Sequence, residues 1–142
     1  MNPSLLRSEE LSIDYRSDLN VLLVRWLTDA TPSQLRQHYA ALLAAAQQVG
    51  CTHWLLDVRR RFTPNPETSR WAAEEWMPTA LAALHPRPVY IACLLAPLRA
   101  TQFSPDEAIN TAITANLEAV RQAYHFETFT DEGEAMRWLQ QF

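Results

Sequence analysis

The sequence predicts a single α/β domain in which helices cover a mostly parallel sheet. Short apolar segments of strand length alternate with longer segments whose apolar residues recur at helical spacing. Three of the longer segments begin with a polar residue followed by proline, a common start of an α-helix. Alternating strands and helices indicate parallel strands joined by right-handed crossovers.

Length and composition restrict the class of protein. A chain of 142 residues can bury one core without metals or disulfides, so we predict that residues 1–142 form one domain, with residues 1–9 as a loose lead-in. The net charge of −4 argues against a nucleic-acid partner, because such proteins usually carry a basic excess. Two glycines are too few for a phosphate-binding loop or a dinucleotide fingerprint. The absence of lysine excludes Schiff-base chemistry.

Hydropathy predicts a cytoplasmic protein with no membrane partner. The chain has no apolar run long enough to span a bilayer. Its N-terminus lacks the basic start and apolar core of a signal peptide. Cys51 and Cys93 lie in apolar strand patterns, which favours buried free thiols.

The first half of the chain predicts an antiparallel hairpin followed by a strand–helix unit. Residues 11–15 alternate between apolar and polar, the period of a half-buried strand, and residues 21–27 form a second strand. A capping box beginning at Thr31 starts a helix, and Gly50 occupies the C-terminal cap position. The third strand covers residues 52–58.

The second half predicts three further helices and two strands. The second helix begins at Asn65, and Pro78 should kink it or split it. The remaining elements are a strand over residues 89–96, a helix from Ser104, a strand over residues 125–129 and a helix capped at Thr130, whose Ala135, Met136, Leu139 and Phe142 are predicted to face inward. The predicted order is β-β-α-β-α-β-α-β-α: a mostly parallel five-stranded sheet with an N-terminal antiparallel hairpin and four helices.

This order resembles a known family. Together with the closing unit Phe129 to Leu139, Phe-Thr-Asp-Glu-Gly-Glu-Ala-Met-Arg-Trp-Leu, it is similar to STAS domains and their sporulation anti-sigma-factor-antagonist relatives. The resemblance runs from Leu11 onwards and is greatest to small stand-alone bacterial proteins of that fold. It implies a non-catalytic regulatory domain that binds a partner protein. The CRAL-TRIO lipid-transfer fold shares part of the topology and would imply a small-molecule cavity instead.

The chain departs from the phosphorylated members of that family. Those members carry Asp-Ser-Ser-Gly at the start of the helix after the third strand. Here the connection from Arg59 to Ser69 lacks the motif, and Asp57 matches only the family's strand-end aspartate. We therefore predict no phosphorylation site.

Arginines at one sheet edge suggest an anion site. Three follow the third strand directly and one follows the fourth strand, at the edge where open α/β sheets usually bind ligands and helix N-termini favour anions. The candidate side chains are Arg59, Arg60, Arg61 and Arg99. The alternative is a solvated loop in which one arginine pairs with Asp57 or Glu67. Asp57 itself could be a general base, but a carboxylate beside arginine is usually a structural ion pair.

No other group of residues predicts catalysis. The four histidines lack the spacing of a metal site, and neither cysteine lies at a helix N-terminus. We therefore predict no enzyme, no catalytic residue, no metal and no cofactor.

Two tryptophans are candidate interface residues. Trp76 falls on the apolar stripe of the second helix, whereas Trp71 lies off that stripe. Partly exposed aromatic side chains often mark an interface, although Trp71 could instead pack under the arginine-rich loop against a guanidinium. The sequence thus predicts a protein-interaction domain that binds a partner or forms a homodimer. The alternative function is a carrier or sensor of a small anionic or lipid-like ligand.

Overall fold

One mixed sheet of six strands organises the part of the chain that the computed structural model describes, residues 4–60, 66–97 and 124–142. The first three strands pair antiparallel, and each strand from the third to the sixth pairs parallel with the next. In sheet order the strands are β1 (Ser4–Arg7), β2 (Leu11–Arg16), β3 (Val21–Trp26), β4 (His53–Asp57), β5 (Val89–Leu94) and β6 (Tyr124–Phe129). The α/β class is therefore confirmed.

The prediction of five strands was wrong, because the segment assigned to a loose lead-in contains β1. This strand pairs antiparallel with β2, and Leu6 lies opposite Ile13. Its sequence, Ser-Leu-Leu-Arg, is too short to show a period of two. Pairing with β2, rather than any local pattern, is what makes it a strand.

The first helix follows the sequence signals closely. Helix α1 (Pro32–Val49) begins after Thr31, whose Oγ1 accepts from the Gln34 backbone N–H at 3.2 Å. The Gln34 side-chain oxygen accepts in turn from the Thr31 N–H at 2.8 Å, which completes the predicted capping box. Gly50 ends the helix with φ 64°, in the left-handed region that favours glycine.

The second helical segment is divided where proline predicts a break. Helix α2 (Pro66–Trp71) continues into a π-helical turn (Ala72–Trp76) and then into α3 (Met77–Leu84). Pro78 lies in the first turn of α3 and has no N–H to donate to the preceding turn. The wider π turn next to it accommodates the missing bond.

The last helix lies on the opposite side of the sheet. Helix α4 (Glu132–Leu139) begins after Asp131, whose side chain accepts from the Glu134 N–H at 2.9 Å. The described residues contain three helical segments, namely α1, the continuous segment from α2 to α3, and α4, whereas the sequence predicted four helices. The predicted helix from Ser104 lies outside the described residues.

Because successive side chains along a strand point to opposite faces of the sheet, the protein has a hydrophobic core on each face. The larger core joins Leu22, Trp54 and Ile91 to residues of α1, α2 and α3. The smaller core joins Val21, Leu55 and Ala92 to residues of α4. Neighbouring positions along β3 and β4 therefore face different helices, as the period of two requires. No helix in the described ranges has the length and apolar character needed to cross a membrane.

Candidate functional site

Four charged side chains meet on the α4 side of the sheet, at the carboxyl ends of β3 and β4. The parallel register places Arg25 beside Asp57. Arg59 follows β4 by two residues, and Glu132 is the first residue of α4. We call Arg25, Asp57, Arg59 and Glu132 the ion cluster.

Asp57 is the centre of the ion cluster because it accepts hydrogen bonds from both guanidiniums. Arg59 binds it with two nitrogens, Nε to Oδ1 at 2.9 Å and Nη2 to Oδ2 at 2.8 Å. Arg25 Nη1 donates to the same Oδ2 at 2.9 Å. The Arg59 backbone N–H adds a bond to Oδ1 at 3.1 Å. The ion pair predicted for Asp57 is thus confirmed.

Glu132 completes the ion cluster from α4. Its Oε1 accepts from Arg25 Nη1 at 2.6 Å and lies 3.8 Å from Arg59 Nη2. The side chain of Glu132 is 41% exposed, whereas that of Asp57 is 9% exposed. The two carboxylates therefore differ greatly in their access to water.

Electrostatics make Asp57 a poor general base. Burial alone would raise the pKa of its carboxyl, but the hydrogen bonds from Arg59 and Arg25 outweigh burial and hold the pKa below its ordinary value. Burial opposes the charge on Arg25, yet bonds to Glu132 and Asp57 leave its pKa raised. Asp57 is consequently ionised at neutral pH, and both of its oxygens accept hydrogen bonds from the arginines.

The arginines predicted from the sequence have different positions in the structure. Arg59 belongs to the ion cluster, while Arg60 is exposed and makes no ion pair with another described residue. Arg61 and Arg99 lie outside the described ranges, so the four-arginine anion site stays a prediction. Sequence reasoning missed Arg25 and Glu132. A charged residue inside the apolar segment 21–27 was the one available signal for Arg25.

The two tryptophans also have different environments. Trp76 is 7% exposed, its Nε1–H donates to the Tyr39 carbonyl at 3.0 Å, and its ring lies against Tyr39 and Trp54. It is a core residue. Trp71 is partly buried, with the Arg36 guanidinium carbon 4.7 Å from its ring centre. A guanidinium does stack on Trp71, but it comes from α1.

One acid–histidine pair resembles part of a catalytic triad. The Trp26 indole N–H donates to His38 Nδ1 at 3.0 Å. Because indole is only a donor, Nδ1 must be an acceptor and Nε2 carries the proton toward Glu10, 3.1 Å away. In a triad the nitrogen opposite the acid faces a nucleophile. Here that position is filled by Trp26, so the pair joins the β1–β2 turn to α1.

The two cysteines and the possible metal ligands are the remaining candidates among the described residues. Cys51 and Cys93 are buried, as predicted, and burial raises the pKa of Cys51. Within the described ranges, no group of three or more His, Cys, Asp or Glu side chains is placed to hold a metal ion.

Aromatic rings form a second notable feature, at the amino ends of the parallel strands. His53, Tyr90 and His125 are register partners, and their rings stack with centroids 4.9 and 4.8 Å apart. Phe142 stacks on Tyr90 at 4.3 Å, and Trp138 meets Phe142 edge-on at 5.1 Å. We call Tyr90, His125, Trp138 and Phe142 the aromatic surface.

Phe142 does not face inward, as the helical pattern predicted. Helix α4 ends at Leu139, so the helical spacing no longer applies three residues later. The Phe142 side chain is 50% exposed and is the one exposed large hydrophobic residue in the described ranges. Such a residue, stacked on further aromatic rings, is typical of a contact surface.

His53, beneath the aromatic surface, should make folding stability depend on pH. Burial lowers the pKa of His53, the Phe142 backbone partly offsets this, and Arg87 adds to the lowering. Neither ring nitrogen has a hydrogen-bond partner of good geometry among the described residues. Because the folded-state pKa lies below the unfolded value of about 6.5, stability should fall as the pH drops below that value.

Urea unfolding at about pH 7.5 and about pH 5.5 tests this prediction. His53→Phe keeps a ring that can stack on Tyr90 and cannot take up a proton. We expect the loss of stability between the two pH values to be smaller in this variant than in the wild type. An equal loss in both proteins would show that His53 is not responsible.

Comparisons with known proteins identify no relative of this chain. No protein-family model matches it, and neither the curated proteins nor the solved structures give a significant match.

Proposed function

We propose that this protein is a non-catalytic interaction domain of STAS type, acting in the bacterial cytoplasm. The observation that carries the proposal is the aromatic surface, where Phe142 is half-exposed and stacked on Tyr90. Protein–protein contact surfaces are enriched in aromatic residues, which bury a large area at a low cost in side-chain entropy. The Glu10–His38 pair supports the same proposal, since Trp26 occupies the position where a nucleophile would lie in a triad.

The partner that we propose first is a second copy of the chain. Glu134 and Arg137 are exposed on α4, three residues apart, and Arg137 directly precedes Trp138 of the aromatic surface. If two copies of α4 met antiparallel across a two-fold axis, Glu134 of one copy would face Arg137 of the other. The surface is therefore complementary to itself in charge, as a symmetric dimer requires.

Sedimentation velocity over a range of protein concentrations tests this proposal. We expect the wild type to dimerise and Phe142→Ala to weaken the dimer by about 30-fold or more, the effect of losing a hot-spot aromatic residue. Gln141→Ala is the matched control, because this neighbouring residue is exposed but is not aromatic. It should dimerise like the wild type.

A wild type that stays monomeric at all concentrations would rule out the second copy as the partner. A photo-crosslinking amino acid at position 142 then tests for a different partner in cells. One adduct of defined mass that forms from position 142, but not from exposed position 47 on α1, would support an interaction with a different partner. Equal labelling from both positions would contradict it.

A second function, a carrier or sensor of a small anionic ligand, is favoured by a separate observation. Arg25 and Arg59 both donate to Oδ2 of Asp57, and Oε1 of Glu132 lies 2.6 and 3.8 Å from their guanidinium nitrogens. A lipid-like ligand has no comparable support in the described residues.

A further inference from the structure

We propose that Arg25 and Arg59 form a binding site for a small oxyanion, a carboxylate or phosphate group, and that Glu132 occupies this site as an internal competitor. The site shares Arg59 with the four arginines predicted by the sequence, and its second arginine is Arg25. It does not depend on the protein-interaction function, because it lies at the carboxyl ends of the parallel strands and the aromatic surface lies at their amino ends.

The geometry of the ion cluster shows how an oxyanion would be bound. Asp57 holds both guanidiniums, so their positions are fixed before Glu132 is considered. Arg25 Nη1 lies 2.6 Å and Arg59 Nη2 lies 3.8 Å from the same oxygen, Oε1 of Glu132. That oxygen marks the position where an oxygen of an external carboxylate or phosphate would accept from Arg25, within ion-pair distance of Arg59. Preorganised guanidiniums are well suited to such oxyanions.

The exposure and the charge of Glu132 explain how an oxyanion would reach the two arginines. Two guanidiniums and Asp57 sum to one positive charge, which Glu132 balances. Glu132 is the more exposed of the two carboxylates, at 41% against 9% for Asp57, so it can rotate into water while Asp57 stays in place. A Glu132 side chain that has rotated away leaves Arg25 and Arg59 with only Asp57 to balance their charge. The exposed Arg60 adds a further positive charge nearby.

This arrangement makes ligand binding compete with a contact between α4 and β3. An arriving oxyanion replaces the Glu132 carboxylate on Arg25, and the first turn of α4 loses its ion pair with the sheet. Removal of the Glu132 charge should therefore strengthen anion binding. A site that used Glu132 as a ligand-binding group would respond in the opposite direction.

Calorimetric titration with inorganic phosphate, and separately with acetate, tests the proposal at constant ionic strength set by chloride. We expect Glu132→Ala to bind at least one of these anions about tenfold more tightly than the wild type, the effect of removing one charge-assisted competitor. Glu74→Ala removes an exposed carboxylate from the π-helical turn on the other side of the sheet and should bind like the wild type. Adding Arg59→Ala to Glu132→Ala should weaken binding by about tenfold or more.

Several outcomes would overturn the site. These are equal affinity of the wild type and Glu132→Ala, the same gain in Glu74→Ala, unchanged affinity after Arg59 is removed, or no binding of either anion to Glu132→Ala. Glu132→Gln, which keeps the side-chain volume, should also gain affinity and guards against a folding defect in the alanine variant. The anion that binds more tightly identifies the ligand group as phosphate or carboxylate. Dimerisation is measured separately, so failure of this site leaves the protein-interaction function untouched.

Discussion

Asp57→Ala is expected to destabilise the domain by about 3 kcal/mol, the lower part of the range for breaking a buried ion pair. The change leaves the guanidiniums of Arg25 and Arg59 close together, with only the exposed Glu132 to balance them. Their partial exposure, 28% and 43%, moderates the cost. For a domain whose total stability is about 5–15 kcal/mol, this is a large fraction.

Urea unfolding at neutral pH measures this effect, and Glu132→Ala is the matched control. Glu132 belongs to the same ion cluster but is 41% exposed, so its removal should cost about 1 kcal/mol or less. If both variants lost the same stability, Asp57 would not be the residue that holds the ion cluster together.

The same carboxylate should also contribute to acid unfolding. Arg59 and Arg25 hold the folded-state pKa of Asp57 below its ordinary value despite burial. Its contribution to stability is therefore present above about pH 4 and is lost as the pH falls through the lowered folded value. The stability difference between the wild type and Asp57→Asn should shrink below about pH 4. A constant difference would show that the charge of Asp57 is not involved.

Local sequence signals predicted the parts of the fold that depend on local physics. The capping box at Thr31, the cap at Gly50 and the break at Pro78 each involve residues within one or two turns of each other. Strand β1 has no such signal, because pairing with β2 alone fixes its conformation. Phe142 was misjudged because a helical pattern was extended beyond the end of the helix.

The candidate site could be predicted only in part, because its members are far apart in the chain. Asp57 and Arg59 are two residues apart, and their ion pair was one of the alternatives that the sequence suggested. Arg25 reaches them through the β3–β4 register, and Glu132 is separated from Arg25 by 107 positions. Packing of α4 against the sheet brings Glu132 to the ion cluster, and no spacing rule in the sequence encodes that contact.

Trp76→Ala should have the largest effect on stability, a loss of about 3–5 kcal/mol. The substitution removes a ring that packs between Tyr39 and Trp54, together with the hydrogen bond from its indole to the Tyr39 carbonyl. Trp76 is 7% exposed, so removal of its ring leaves a cavity in a close-packed core. Urea unfolding followed by circular dichroism measures the loss.

Trp71→Ala distinguishes a core role from an interface role within the same helical segment. Trp71 is partly buried and packs against Tyr39 and the Arg36 guanidinium, so its removal should cost about 1 kcal/mol. A loss as large as that of Trp76→Ala would mean that both residues belong to one core. A small loss of stability combined with weaker dimerisation would instead place the partner on the α1–α2 side of the sheet. In that case Phe142, on the other side, would not be the main contact, since one two-fold interface cannot use both faces of the sheet.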